Sequence, residues 1–172
     1  ELFPQLATVI EQSLPADAKS VSLAVGMTGL TRSQSEPQKL LKIVDSRVTS
    51  VHLAHDSITG FLGSMGLNQG TVTAVGTGVV TLAVGPEKLA RVDGWGHLIG
   101  DAGSAYWIGR AGLEAGMRAY DGRISGTQLI TLLQENFSDP EEAYIELQTS
   151  NDRVARIASY ARRVIELAED DE

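Results

Sequence analysis

Apolar side chains recur at helical spacing at the start of the chain, where Leu2, Leu6, Val9, Ile10 and Leu14 share a face and Pro15 closes the segment. The period then drops to two. Val21, Leu23 and Val25 alternate with small or polar residues and run into Gly26-Met27-Thr28-Gly29, which predicts a strand ending in a tight turn. A second helix is predicted after Glu36-Pro37, with Leu40, Leu41 and Val44 on its apolar face and Pro37 in its first turn. Val48 to Ala54 reads as another strand ending at His55-Asp56, Asp56 to Met65 as a helix, and Gly66 to Gly70 as a loop.

Three short apolar runs follow, Thr71 to Val75, Val79 to Val84 and Lys88 to Val92, joined at Gly76-Thr77-Gly78 and Gly85-Pro86-Glu87, the pattern of an antiparallel meander. Asp93 to Gly103 carries four glycines in eleven positions and is too glycine-rich for regular structure. Beyond it the pattern is helical: Ser104 to Tyr120, Thr127 to Phe137 with Leu129, Leu132 and Leu133 on one side, a short helix from Pro140 to near Gln148, and a last one capped by Asn151 or Asp152. In that last helix Val154, Ile157, Ala158, Ala161, Val164, Ile165 and Ala168 keep a 3.6-residue period. It runs into Glu169-Asp170-Asp171-Glu172, and acidic residues at a helix C-terminus oppose the macrodipole. With a helix starting at the first residues and this ending, the expectation is a chain cut from something longer at both ends.

The 172 residues are 42% hydrophobic and 21% charged, a globular composition. Net charge is −8, against which a nucleic-acid surface would have to work, so no nucleic-acid partner is expected. No apolar run approaches the roughly 20 residues of a membrane span and no signal peptide is visible, which makes the cytoplasm the default compartment. The chain has no cysteine, excluding disulfides, thiolate zinc and iron–sulfur ligation within it. His52, His55 and His97 are too irregularly placed for a histidine metal site, and no metal ligands are assigned. The distinctive number is 18 glycines, concentrated mid-chain.

Among them lies Gly94-Trp95-Gly96-His97-Leu98-Ile99-Gly100-Asp101-Ala102-Gly103-Ser104. Glycine lets backbone amides approach a ligand, Trp offers a face to a sugar ring, and Asp accepts hydrogen bonds from vicinal hydroxyls. The same run also reads as a structural loop with a buried Trp and a capping Asp or Ser. Gly76-Thr77-Gly78 can present amides and a hydroxyl to a phosphate, or be an ordinary hairpin turn. It is neither a P-loop nor a dinucleotide fingerprint, because no Gly-Lys-Ser/Thr follows and no helix opens there. Asp56, between a strand end and a helix start, stands where open α/β sheets place functional groups; it is either a helix cap or a carboxylate that accepts a proton in phosphoryl transfer.

The order of these motifs carries more than any one of them. A strand ending in Asp56, then Gly76-Thr77-Gly78, then Gly94-Trp95-Gly96-His97 with Gly100-Asp101-Ala102-Gly103-Ser104-Ala105-Tyr106-Trp107-Ile108-Gly109, resembles the N-acetylglucosamine kinases of the BadF/BadG/BcrA/BcrD ATPase family. The resemblance implies an α/β fold of ribonuclease H-like (actin-like ATPase) domains: residues 1–66 as the C-terminal part of the first, and 67–172 as the beginning of the second, with a helical C-terminal part. It implies ATP and Mg²⁺ as cofactors and phosphorylation of an amino sugar, N-acetylglucosamine at the 6-OH being the expected case, with a homodimer as a further expectation. In that frame Asp56 is the catalytic base, Gly76, Thr77 and Gly78 meet the ATP phosphates, and Gly94, Trp95, Gly96 and Asp101 hold the sugar.

The chain departs from the pattern at four places. An N-terminal Asp-Gly-Gly-Gly-Thr type phosphate loop and a later adenosine site are absent. Val79 stands where Ser usually follows Gly-Thr-Gly, and Ala102 where Glu is common. These leave two other readings: a sugar-binding sensor without turnover, which Val79 keeps open, and an ATPase activator, which the absence of cysteine opposes.

Overall fold

The computed structural model describes residues 2–169, so Asp170, Asp171 and Glu172 of the acidic terminus lie outside the described residues. The chain forms two compact units, Glu1–Val72 with Val84–Pro86, and Thr73–Ala83 with Glu87–Glu172.

In the first unit α1 (Leu2–Ser13) precedes β1 (Val21–Met27); a 3-10 turn at Arg32–Gln34 and α2 (Pro37–Leu41) then lead to β2 (Val48–His55) and α3 (Asp56–Met65). β1 and β2 pair in parallel, with Leu23 opposite Val51 and Met27 opposite His55. Parallel neighbours need a crossover, and α2 supplies it. Ile10, Leu40, Val48 and Val51 are buried together, flanked by Phe3, Leu6, Leu14 and Val44. Polar pairing ties the strands as well, with Ser22 and Ser50 hydroxyls 2.6 Å apart. α2 is shorter than predicted and ends at Leu41; Val44 still packs on the core, but from the connection to β2. That connection is clamped by Arg47. Its Nε donates to Asp45 Oδ1 at 2.9 Å, its Nη2 to Oδ2 at 3.0 Å and its Nη1 to the Pro15 carbonyl at 3.0 Å, while its own carbonyl accepts the Val21 amide. The guanidinium, and then the Arg47 amide, hold the Asp45 carboxyl down at about 2.

The second unit holds most of a three-stranded sheet of order β3 (Gly70–Val75), β4 (Val79–Val84) and β5 (Leu89–Asp93). Thr73 and Thr81 hydroxyls meet at 2.9 Å and Gly76 N–H donates to Gly78 O, the symmetric pairing of an antiparallel hairpin about Thr77. Five helices follow: α4 (Ala105–Tyr120), α5 (Ile130–Asn136), α6 (Ala143–Thr149), α7 (Arg153–Ser159) and α8 (Ala161–Glu169). The predicted helix from Pro140 is a 3-10 turn at Pro140–Glu142 continued by α6. The single predicted terminal helix is two, broken at buried Tyr160, whose N–H bonds to Ile157 O and whose ring packs on Phe137. The 3.6 period crosses the break because both halves face α4.

α4 is the hub, and three glycines make it one. A Cβ at Gly109 would lie 2.0 Å from the Ile157 carbonyl oxygen on α7; at Gly112, 2.3 Å from Val164 Cγ2 on α8; at Gly116, 2.7 Å from the Leu129 carbonyl oxygen at the start of α5. Spacings of three and four place all three on one stripe of the helix. Leu113, Leu132, Leu133, Phe137, Ala143, Tyr160 and Leu167 close the core around it.

Two outcomes follow from this packing. Gly109→Ala gains helix propensity of about 1 kcal/mol, but its methyl meets backbone that cannot rotate away, and overpacking at about 1–3 kcal/mol wins; Gly63→Ala, with nothing within 4 Å of its Cβ, should instead stabilise by about 0.5–1 kcal/mol. Opposite shifts in thermal midpoint check this, and a stabilised Gly109→Ala would remove the close-approach argument. Asp45→Asn should lower stability at neutral pH. Because the Asp45 carboxyl is depressed from 3.8 to about 2, its contribution is present above pH 3.8 and lost as pH falls towards 2. The wild-type and variant urea midpoints should converge over that window, and a gap that persists at pH 2 counts against the clamp.

Candidate functional site

In the first unit β2 delivers Asp56 to the first turn of α3, so the residue sits at a strand end and a helix start as the sequence pattern expects. The helix cap itself is His55, whose Nδ1 accepts the Ser57 amide at 3.2 Å and lies 2.9 Å from Ser57 Oγ. His55 Nδ1 is also 2.8 Å from Asp56 Oδ1. One ring nitrogen cannot accept from Ser57 and donate to Asp56 at the same time. With the cap bond made, Asp56 Oδ1 is buried with no hydrogen-bond donor among the described residues, although the side chain as a whole is 43% exposed. A carboxylate under-supplied with donors on one oxygen and open to solvent on the rest is equipped to take a proton from a ligand hydroxyl.

The second unit brings the two glycine motifs together. Asp101, buried and at φ +62°, turns its carboxylate toward the hairpin, where Oδ1 accepts the Val79 amide at 3.3 Å. Gly78 leaves the room for it, since a Cβ there would stand 2.7 Å from Asp101 Oδ2. The N-terminus of α4 docks on the same turn: Ala105 N–H donates to Gly76 O at 2.9 Å and Tyr106 N–H to Thr77 O at 3.2 Å. These carbonyls satisfy amides that a helix start leaves unpaired, and fully buried Ser104 satisfies another by accepting the Trp107 amide. The positive end of the α4 dipole therefore lies at Gly76 and Thr77. Thr77 itself is exposed, and its hydroxyl makes no hydrogen bond among the described residues.

The loop after β5 is pinned by a residue that sequence reasoning passed over. Asp93 Oδ1 accepts the Gly94 and Asp101 amides, each at 2.8 Å, closing Gly94–Gly100 into a ring. These donors, the Asp101 amide first, hold the Asp93 carboxyl below its ordinary value against the opposing effect of burial. Nothing local marks Asp93 as a pin, because its second partner is eight residues away. Gly94 at φ +76° and Gly96 at φ +83° let the loop turn where other residues would strain. Trp95 is 58% exposed, with the Arg91 guanidinium 4.8 Å from its ring centroid. An open groove of about 540 Å³ runs along this loop, lined by Asp93, Trp95, His97, Ala102, Trp107 and Arg110 among others. Of the residues expected to hold sugar, Trp95 lines this groove, Gly94 and Gly96 shape its loop, and Asp101 faces the hairpin from behind it.

An ATP-using site needs anion contacts, and the Gly76–Gly78 turn offers a hydroxyl on Thr77 without a partner among the described residues, open space beside Gly76, and the positive dipole end of a helix whose first amides are already paired. Among the described residues no group of three His, Cys, Asp or Glu side chains could hold a metal ion. Mg²⁺ is commonly held by nucleotide phosphates with one or two carboxylates, so this donor set is compatible with it.

The pinning role of Asp93 has a direct consequence. Asp93→Ala releases two amides worth about 0.5–1.5 kcal/mol each, so hydrogen exchange at Gly94 and Asp101 should speed by about tenfold or more, while α4 to α8 keep their protection. Unchanged exchange at both amides would show that another group holds the loop.

The comparisons with known proteins agree on where this chain belongs. The chain is 27% identical over 115 residues to an N-acetylmuramic acid/N-acetylglucosamine kinase of Clostridium acetobutylicum, covering 63% of this chain and 36% of that one. It is 35% identical over 132 residues to an N-acetyl-D-glucosamine kinase of Dictyostelium discoideum, covering 70% of this chain and 39% of the other. Among solved structures, a provisionally named N-acetylglucosamine kinase from Chromobacterium violaceum superposes with a TM-score of 0.71 at 24% identity, and one from Porphyromonas gingivalis with 0.67 at 16%. Each superposition covers 99% of this chain, and 64% and 60% of those structures. The fold is thus the α/β, actin-like ATPase type, and the match to these relatives spans less than two thirds of their length. The family model of the BadF/BadG/BcrA/BcrD ATPases matches residues 6–171, so the chain belongs to the BadF/BadG/BcrA/BcrD ATPase family.

Proposed function

We propose that these residues form part of a sugar kinase that transfers phosphate from ATP to an amino sugar, N-acetylglucosamine to its 6-phosphate. The observation that carries the proposal is the Asp101 carboxylate. By accepting the Val79 amide behind Gly78 it fixes the groove loop to the phosphate-facing turn, within one unit and on the N-terminus of α4. A sugar kinase needs those two surfaces held in fixed relation, because phosphoryl transfer is catalysed mostly by positioning and charge stabilisation. The names of the aligned kinases support the same reading.

In this proposal the Trp95 face receives the sugar ring, and Gly94 and Gly96 give the backbone close access to its hydroxyls. Asp101 acts on the sugar through the loop it holds. Thr77 and the turn contact phosphate oxygens, and the α4 dipole favours the negative charge there. Asp56, carried by the first unit, accepts the proton of the attacked hydroxyl on a carboxylate whose buried Oδ1 has no hydrogen-bond donor among the described residues once His55 caps α3. Bound Mg-ATP would supply the phosphoryl group and the charge neutralisation. We assign 1–66 to the end of one ribonuclease H-like domain and 67–172 to the beginning of the next. The activity is proposed for the whole protein, in the cytoplasm, where ATP is at hand.

The test is ADP release by the full-length protein with Mg-ATP and N-acetylglucosamine, glucosamine, N-acetylmannosamine or glucose. Release dependent on an amino sugar is expected. Asp56→Asn should cut turnover by about 10²–10⁴-fold with nucleotide affinity unchanged. ADP release that no sugar stimulates would overturn the kinase reading, and near-normal turnover in Asp56→Asn would remove Asp56 from the base role.

A further inference from the structure

His55 and Asp56 turn two acceptors toward each other. With the Ser57 amide donating to it, His55 Nδ1 uses its lone pair as an acceptor, yet it lies 2.8 Å from Asp56 Oδ1, a carboxylate oxygen that has only lone pairs to offer. Two acceptors at that distance with no hydrogen between them repel, and a single proton converts the contact into a charge-assisted hydrogen bond. The pair is thus a seat for one proton, built on the acid to which the proposed function assigns the proton of the attacked hydroxyl.

The seat is held in place. The His55 side chain is only 15% exposed, and its residue stands opposite Met27 across the parallel pair. Thr59 Oγ1 donates to the Asp56 carbonyl at 3.0 Å, and Gly26 on β1 leaves room for the Thr59 side chain, which a Cβ at position 26 would strike. The charged surroundings are simple. Of the elements packed against β2, β1 has no titratable side chain, α2 has only Lys39, tied to Glu36 at 2.6 Å, and α3 has only Asp56. α1, on the same core, carries the exposed Glu11, and His52 of β2 lies three residues back, on the opposite face of the strand.

We propose that His55 is a positioning residue for Asp56, and that the two side chains receive the hydroxyl proton as a pair, the proton bonded to Asp56 Oδ1 and donated to His55 Nδ1. This rests on the base role given to Asp56 above and adds a second residue to it. As the sugar oxygen bonds to phosphorus and the bond from phosphorus to ADP breaks, the hydroxyl proton passes to Asp56, and no further reactant is required. The pair must enter the reaction empty. A proton already seated there closes the acceptor, so turnover falls on acidification where the pair, rather than a lone carboxylate, is protonated.

The test uses the full-length protein with Mg-ATP and N-acetylglucosamine, reading kcat and both KM values across about pH 5 to 9. His55→Asn and His55→Ser each keep a good cap on α3 but offer no ring nitrogen to a proton. In both, kcat should fall by about tenfold or more with the KM values unchanged, and the acid limb of kcat should move to lower pH by about one unit or more. Melting curves identify the folded variant to be read. Wild-type kcat with an unmoved acid limb overturns the inference, and so does a lower kcat with an unmoved limb, which leaves His55 as a cap alone; the base reading stands in either case if Asp56→Asn abolishes turnover. Near-normal turnover in Asp56→Asn, or ADP release that the sugar does not stimulate, overturns the base reading and this inference with it.

Discussion

A carboxylate taken out of water must find donors, and Asp101 finds the Val79 amide across the hairpin. That contact constrains much else in the second unit. It requires Gly78, because a side chain would collide with Asp101 Oδ2, and it requires the left-handed backbone at 101 that Asp tolerates better than bulkier residues. It brings Ser104 to the start of α4, where Ser104 N–H bonds to Asp101 O and the hydroxyl caps the helix. Once α4 is started there, its next amides fall on Gly76 and Thr77. Hairpin, loop and helix are therefore one hydrogen-bonded assembly.

The helical half of that unit repeats the logic with backbone instead of charge. Leu-rich faces of short helices are not specific by themselves. The stripe of Gly109, Gly112 and Gly116 lets α7, α8 and the start of α5 approach α4 at separate heights, which gives the packing a register. Rigid support of this kind suits the proposed phosphoryl-transfer site, whose chemistry would be mostly positioning. Trp107 and Arg110 project from the first turns of α4, the element that the glycine stripe fixes in place.

Charge is distributed to the same end. Six of the ten arginines pair with nearby carboxylates, whereas Arg91 lies over Trp95 and Arg110, on α4, lines the groove. Asp93 is a carboxylate held in its charged form by backbone amides, so it acts as a fixed structural anion. Asp56 is the opposite case, with one oxygen buried and short of donors. Two acids of the same chemistry are thus suited to different work by what their neighbours donate.

Much of this was legible along the chain. The period-2 and period-3.6 patterns located every strand and the helices from α1 to α4, because those patterns report which face must be buried. The glycine runs and the order of motifs pointed to the family, and the same motifs supply Asp56, Thr77 and Trp95 to the proposed site. What the sequence could not carry was any relation between residues far apart in number. The break at Tyr160 was hidden because both α7 and α8 keep their apolar side toward α4, so the hydrophobic period runs through a discontinuity that only packing produces. The pin at Asp93 and the turn of Asp101 toward Gly78 are likewise decided in three dimensions. Local order follows from local periodicity; who donates to whom follows from which elements the core forces together.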